Sequence, residues 1–233
     1  MFMAMSEGRH LLPGFDTALD TLRADLLMMG NLVRRTVSNA KQGFRARDDD
    51  YCAAVIADDD EIDILEKQVD RIGTDILVRF QPMTVDLRRV LATVKVGSHL
   101  ERLSNQMVNI ARRVRKMNEE PPLEGAIWLD AIFDAAEIAL GEALDAFASA
   151  DSPLAERVRS RMEPLAQDAR DLDDRYTDIV EEHTPFVRGY VNLIAVAQAL
   201  ERAAYVIENI AEEAIYVAEA KDVRHEGNPL EEV

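Results

Sequence analysis

The chain is poor in the residues that staple, span or catalyse. Its one cysteine, Cys52, excludes an intrachain disulfide framework and fits a reducing compartment, so the cytoplasm is the expected location. No stretch approaches about 18 uncharged apolar residues, so nothing reads as a membrane span. Met1 to Leu12 carries neither a basic opening nor a long apolar run, and no signal peptide is expected. The four histidines form no cluster with cysteine, which removes the usual ligands of structural zinc. A Gly-rich phosphate loop and a Gly-x-Ser-x-Gly elbow are both missing, and with them any visible NTPase or hydrolase machinery. Strict alternation of apolar and polar residues never persists, so strands are not expected.

Positive charge is also scarce. Lys and Arg total 27 against 44 Asp and Glu, a net charge of −17. Such a surface repels phosphodiester backbones and anionic lipid, which argues against nucleic acid as a partner and against direct membrane insertion.

What is present is an internal repeat. Leu100-Glu101-Arg102, followed by Asn109-Ile110-Ala111, returns one hundred residues later as Leu200-Glu201-Arg202 and Asn209-Ile210-Ala211. A helical repeat cannot bury its apolar face alone, so the pattern implies related bundles in tandem. Hydrophobic content of 48% is enough for a real core. The expected fold is all-α, two tandem three-helix bundles related by the repeat.

Six amphipathic segments supply the helices. The first runs roughly from Gly14 to Phe44. The second begins at Asp49 or Asp50 and ends near Phe80, where Gln81-Pro82 breaks the pattern. The third starts at Thr84, placed as its N-cap, and finishes in the basic turn Arg112, Arg113, Arg115, Lys116. The fourth uses Leu129 to Phe147. The fifth opens at Ser152-Pro153 and passes through Pro164, read as a kink because the stripe resumes in phase. The sixth opens at Thr184-Pro185 and reaches Val217. Glu119-Glu120-Pro121-Pro122 is the best domain break. The expected organisation is therefore a flexible start over 1–13, a first bundle over 14–120, a second over 121–220, and a surface tail over 221–233.

Several of these segments together carry a family resemblance. Gly14-Phe15 through Met28-Met29-Gly30, Asp59-Asp60-Glu61-Ile62-Asp63-Ile64-Leu65-Glu66, Gln81-Pro82-Met83-Thr84-Val85-Asp86-Leu87-Arg88, both Leu-Glu-Arg helices and Asp222-Val223-Arg224-His225 resemble the PhoU family over nearly the whole chain. The resemblance implies two three-helix bundles and a non-enzymatic, negative regulator of phosphate uptake and phosphate-starvation signalling. It implies as partners the ATPase subunit of the phosphate ABC transporter and a sensor histidine kinase, reached at the inner membrane only through those proteins. It also implies an acidic motif on the second and third helices of each bundle, a Glu or Asp and an Asp with three residues between them, able to hold iron, zinc or another metal. Here Asp59 and Asp63 match, but Glu101 is followed by Asn105 where the family has Asp. In the second bundle Asp173 matches, Ala169 stands at its upstream partner's place, and Glu201 is followed by Tyr205.

Residues four apart stand one above another on a helix, so Asp59 with Asp63, and Glu101 with Asn105, make two ridges that can face each other. Two readings of that face stay open. It can clamp a divalent or iron-type cation through oxygen ligands, with Asn105 supplying a carbonyl oxygen but no charge. It can equally be a solvated acidic face of the kind common in charged bundles. Tyr205 is a poor ligand for such cations, which leaves the second site weaker. Arg88 and Arg89 project a positive spot from an acidic protein and are candidate partner contacts. Two alternatives remain. A carboxylate-bridged dimetal oxidase would need Glu-x-x-His on core helices, and the matches are Glu7 to His10 in the unpatterned start and, loosely, Asp222 to His225 in the tail. A self-associating helical scaffold, including a homodimer, is compatible with the stripes but not required by them.

Overall fold

The computed structural model describes residues 14–182 and 184–224. The expected flexible start, His10, His183 and the chain after Arg224 lie outside the described residues. Six α-helices account for almost all the rest: α1 (Phe15–Ala46), α2 (Asp49–Phe80), α3 (Thr84–Asn118), α4 (Asp130–Ser149), α5 (Ser152–Glu181) and α6 (Val187–Glu219). A 3-10 turn, Ala126–Leu129, leads into α4. No strand occurs among the described residues.

Helices α1, α2 and α3 pack on one another, as do α4, α5 and α6, and α3 packs along α6. Side-chain pairs across that seam fix its direction. Lys95 meets Glu213 and Gln106 meets Arg202, so α3 and α6 run antiparallel. Likewise Arg23 reaches the carbonyl of Ala148, Lys41 bridges Asp134 and Glu137, and Arg45 bridges Asp130 and Asp134, so α1 and α4 also oppose. The two bundles share one core. A continuous buried cluster runs from Leu26, Met29 and Val33 of α1 through Leu100 and Ile110 of α3 to Phe133 and Leu140 of α4 and Leu200 and Ile210 of α6. A small satellite cluster, Phe15, Leu22, Val69, Ile76 and Val90, closes the far end of the first bundle. Close approach needs small residues: a Cβ on Gly73 of α2 would stand 2.3 Å from Val94 Cγ2 of α3.

The caps differ from expectation in three places, each for a local reason. Asp151, not Ser152, caps α5, its side chain accepting from the backbone N–H of Leu154 at 2.9 Å. A carboxylate there also faces the helix's positive end. Thr84 does not cap α3. Met83 occupies the N-cap with no side-chain hydrogen bond, and Thr84 enters the helix at φ +48°. That is a strained region for a β-branched residue, and Gln81 at φ +46° shares the same tight turn around Pro82. At α6 the helix begins at Val187, while Thr184 Oγ1 accepts from the N–H of Phe186 in the preceding turn. Pro164 sits inside α5, which runs unbroken through it.

The connection between bundles is clamped by aromatics. Tyr176 is fully buried and donates to the Gly125 carbonyl at 2.9 Å, and Tyr190 donates to the Glu124 carbonyl at 3.1 Å. Trp128 stacks on Tyr176 at 5.8 Å, and the Arg175 guanidinium lies 3.4 Å over the Trp128 ring. Gly125 holds φ +90°, which glycine adopts freely. The start of the expected tail is not loose: Val223 is 1% exposed, and Asp222 pairs with Arg224 beside the Lys95–Glu213 seam.

Candidate functional site

On the first bundle the anticipated ridges do face each other. Burial raises the Glu101 carboxyl above the ordinary carboxylate value; the Asn105 hydrogen bond opposes this, and the charges of Asp63, Glu66 and Asp59 add to it. Their oxygens are engaged from within the chain. Ser104, fully buried, donates to Asp59 Oδ1 at 2.9 Å, Ser98 donates to Glu66 Oε1 at 3.2 Å, and Asn105 Nδ2 donates to Glu101 Oε1. Asn105 thus turns its amide donor, not its carbonyl, toward the acid beside it. Among the described residues no three or more His, Cys, Asp or Glu side chains converge as a metal cage. The donor set therefore reads as a half-buried acidic face held by hydroxyl and amide donors.

The second bundle is built differently. Glu201 Oε1 accepts from Arg170 Nη1 at 3.0 Å, and the same nitrogen donates to the Tyr205 hydroxyl. Arg170 Nη2 donates to Glu163 Oε1 at 2.7 Å and to Gln167 Oε1 at 2.8 Å. Asp173, the residue matched to the motif, instead accepts from Gln198 Nε2 at 2.9 Å. Ser98 of α3 contacts Glu66, and Gln198 of α6 contacts Asp173, so Glu66 and Asp173 correspond in space. By the same register Asp63 corresponds to Arg170, and the motif alignment that equated Asp63 with Asp173 is one turn out. Sequence reading passed over Arg170. The letters alone carry no signal for it: only the neighbours shared in the folded chain set the register in which an acid of one repeat is an arginine in the other.

Arg88 and Arg89 lie one turn into α3. Arg88 is half-buried, with Nε sealed from solvent and unpartnered. Arg89 is 48% exposed and only 3.9 Å from Asp86. Arg89 also borders a cavity of about 240 Å³ between the bundles, lined by Leu19, Leu26, Leu27, Leu144 and Phe147, with Arg23 on its rim. Cys52 is fully buried, and burial pushes its thiol up to about 11, which makes it unreactive.

The fold and these faces define an all-α double bundle with a separate polar cluster in each half. The PhoU domain profile matches residues 26–114 and 129–214. The phosphate-specific transport system accessory protein PhoU homolog of Pseudomonas aeruginosa is 31% identical over 226 residues, covering 94% of this chain and 90% of that protein. The like-named homolog of Aquifex aeolicus is 27% identical over 208 residues, covering 89% and 94%. The crystal structure of PhoU from Pseudomonas aeruginosa superposes with a TM-score of 0.86 at 29% identity, covering 89% of this chain and all of that one. The phosphate transport system regulatory protein PhoU from Streptococcus pneumoniae shares the fold, with a TM-score of 0.82 at 24% identity over 90% of this chain and 99% of its own. The chain belongs to the PhoU family.

Proposed function

We propose that this protein is a non-enzymatic regulator of phosphate uptake that acts by touching the ATPase subunit of a phosphate ABC transporter and a sensor histidine kinase on the cytoplasmic side of the membrane. The supporting observation is whole-chain similarity to proteins named as phosphate-specific transport accessory proteins. No helix among the described residues is long and apolar enough to cross a membrane. A rigid two-bundle body regulates by binding one state of a partner more tightly than another, which shifts their balance without any chemistry. Arg88 and Arg89, beside the strained turn at Gln81–Thr84, are the contact surface in this reading. The acidic residues Asp59, Asp63 and Glu101, with the neutral Asn105 beside them, serve as a charged face and need no metal for it.

Co-purification with each partner tests the reading. The expected result is capture of at least one, weakened by Arg89→Glu, together with a phosphate-responsive reporter that stays on in rich phosphate when the protein is deleted. Failure to capture either partner, in an assay that retrieves a known interacting pair, overturns it.

A further inference from the structure

We propose that Arg170 is the resident cation of the second bundle: its guanidinium occupies the place between α5 and α6 where the repeat would otherwise set carboxylate against carboxylate, and this half of the protein takes no divalent metal. The motif carried by the family resemblance implies a metal at both bundles, and the residues present at the second do not fit one. In the first bundle Asp63 stands close enough to Glu101 for its charge to disfavour ionisation there. At the spatially equivalent place in the second bundle Arg170 makes a 3.0 Å ion pair with Glu201. Where the first bundle sets two acids near one another, the second pairs an acid with an arginine.

All five N–H donors of the guanidinium are engaged. Nη1 serves Glu201 and Tyr205, Nη2 serves Glu163 and Gln167, and Nε reaches Gln167 Oε1 at 3.2 Å. A planar fork of fixed donors suits this spread of oxygens and stays charged at every physiological pH. Tyr205, a poor metal ligand, is an adequate acceptor for arginine, so the departures from the motif at 170 and 205 make sense together. A divalent ion could enter only by displacing Arg170 from Glu201 and Glu163, leaving a cation with no other acid among its hydrogen-bond partners. The second bundle is therefore indifferent to metal supply, a property independent of which partners the protein serves.

The test uses the full chain stripped with chelator, with Mn²⁺ as the probe, read by bound manganese and by thermal melting. Wild type and Glu201→Gln are expected to bind the same amount of Mn²⁺. Arg170→Met, which keeps bulk but removes charge, is expected to melt about 4 °C lower and to regain part of that loss with Mn²⁺. Adding Glu201→Gln to it should abolish the regain, and Arg170→Lys should melt near wild type with no Mn²⁺ response. Loss of one bound Mn²⁺ on Glu201→Gln alone overturns the proposal, and this arm needs no arginine variant to fold. So does an Arg170→Met protein that melts like wild type or whose melting ignores Mn²⁺.

Discussion

His99 predicts a specific acid sensitivity. It lies half-buried on α3, and its Nδ1 is sealed from solvent with no hydrogen-bond partner. Burial chiefly, then the charges of Arg102 and Lys95, push its imidazole down to about 4 from 6.5. The folded pKa is depressed, so the neutral ring's contribution to stability is fully present above the unfolded value and is lost as pH falls through the folded one. With those two values, the linkage relation gives a loss of about 2 kcal/mol between about pH 7 and about pH 5, and about 3 kcal/mol by pH 4. That is a sizeable share of the roughly 5–15 kcal/mol that holds a domain together. Urea unfolding of wild type and His99→Gln, each at about pH 7 and about pH 5, isolates the term from all other titrating groups. The wild type should lose about 2 kcal/mol more than the variant over that interval. An identical loss in both proteins, or an NMR titration that places His99 near 6.5, would refute the reasoning.

Three further outcomes follow from the geometry. Tyr176→Phe removes one of the two hydrogen bonds to the Gly125 carbonyl, which keeps the Trp128 N–H at 3.0 Å, so it should cost about 1 kcal/mol in urea unfolding, whereas a cost below experimental error would mean the aromatic clamp is held by packing alone. Thr84→Gly relieves a β-branched residue at φ +48° and should raise stability by about 1 kcal/mol; a clear loss would show that the turn is not strained. Glu101→Gln should stabilise by about 0.5 kcal/mol near neutrality, the size of a like-charge contact. Because the Glu101 carboxyl is raised, the native state favours its protonated form, and the gain should vanish as pH falls below the ordinary value of 4.5. A gain unchanged in acid would point to packing rather than charge.

The helices were legible because their apolar spacing is regular and their breaks are marked by Gln81-Pro82 and Glu119-Glu120-Pro121-Pro122. Caps were less so, since Asp151 and Ser152 are both good cap residues and only the turn decides between them. The acidic ridge of the first bundle could be seen in the four-residue spacing of Asp59 and Asp63. What could not be seen was where each polar atom finds its partner. Asn105 presents either a carbonyl or an amide to Glu101, and the letter does not say which. Arg170 was missed for a related reason. Registering two diverged helices by motif letters put Asp173 beside Glu201, while their packing put an arginine there. Val223 was read as part of a polar tail because one apolar residue among charges makes no stripe, yet it is buried.

The opposed course of α3 and α6 has a consequence for reach. The turn between α2 and α3 lies at one end of the body and the turn between α5 and α6 at the other, and α3 alone, at 35 residues, is about 50 Å long. Whatever grips one turn stands clear of whatever grips the other, so two large neighbours can be held simultaneously without colliding. Any message between them must travel through the common interior, as a small tilt of stiff rods rather than the swing of a hinge.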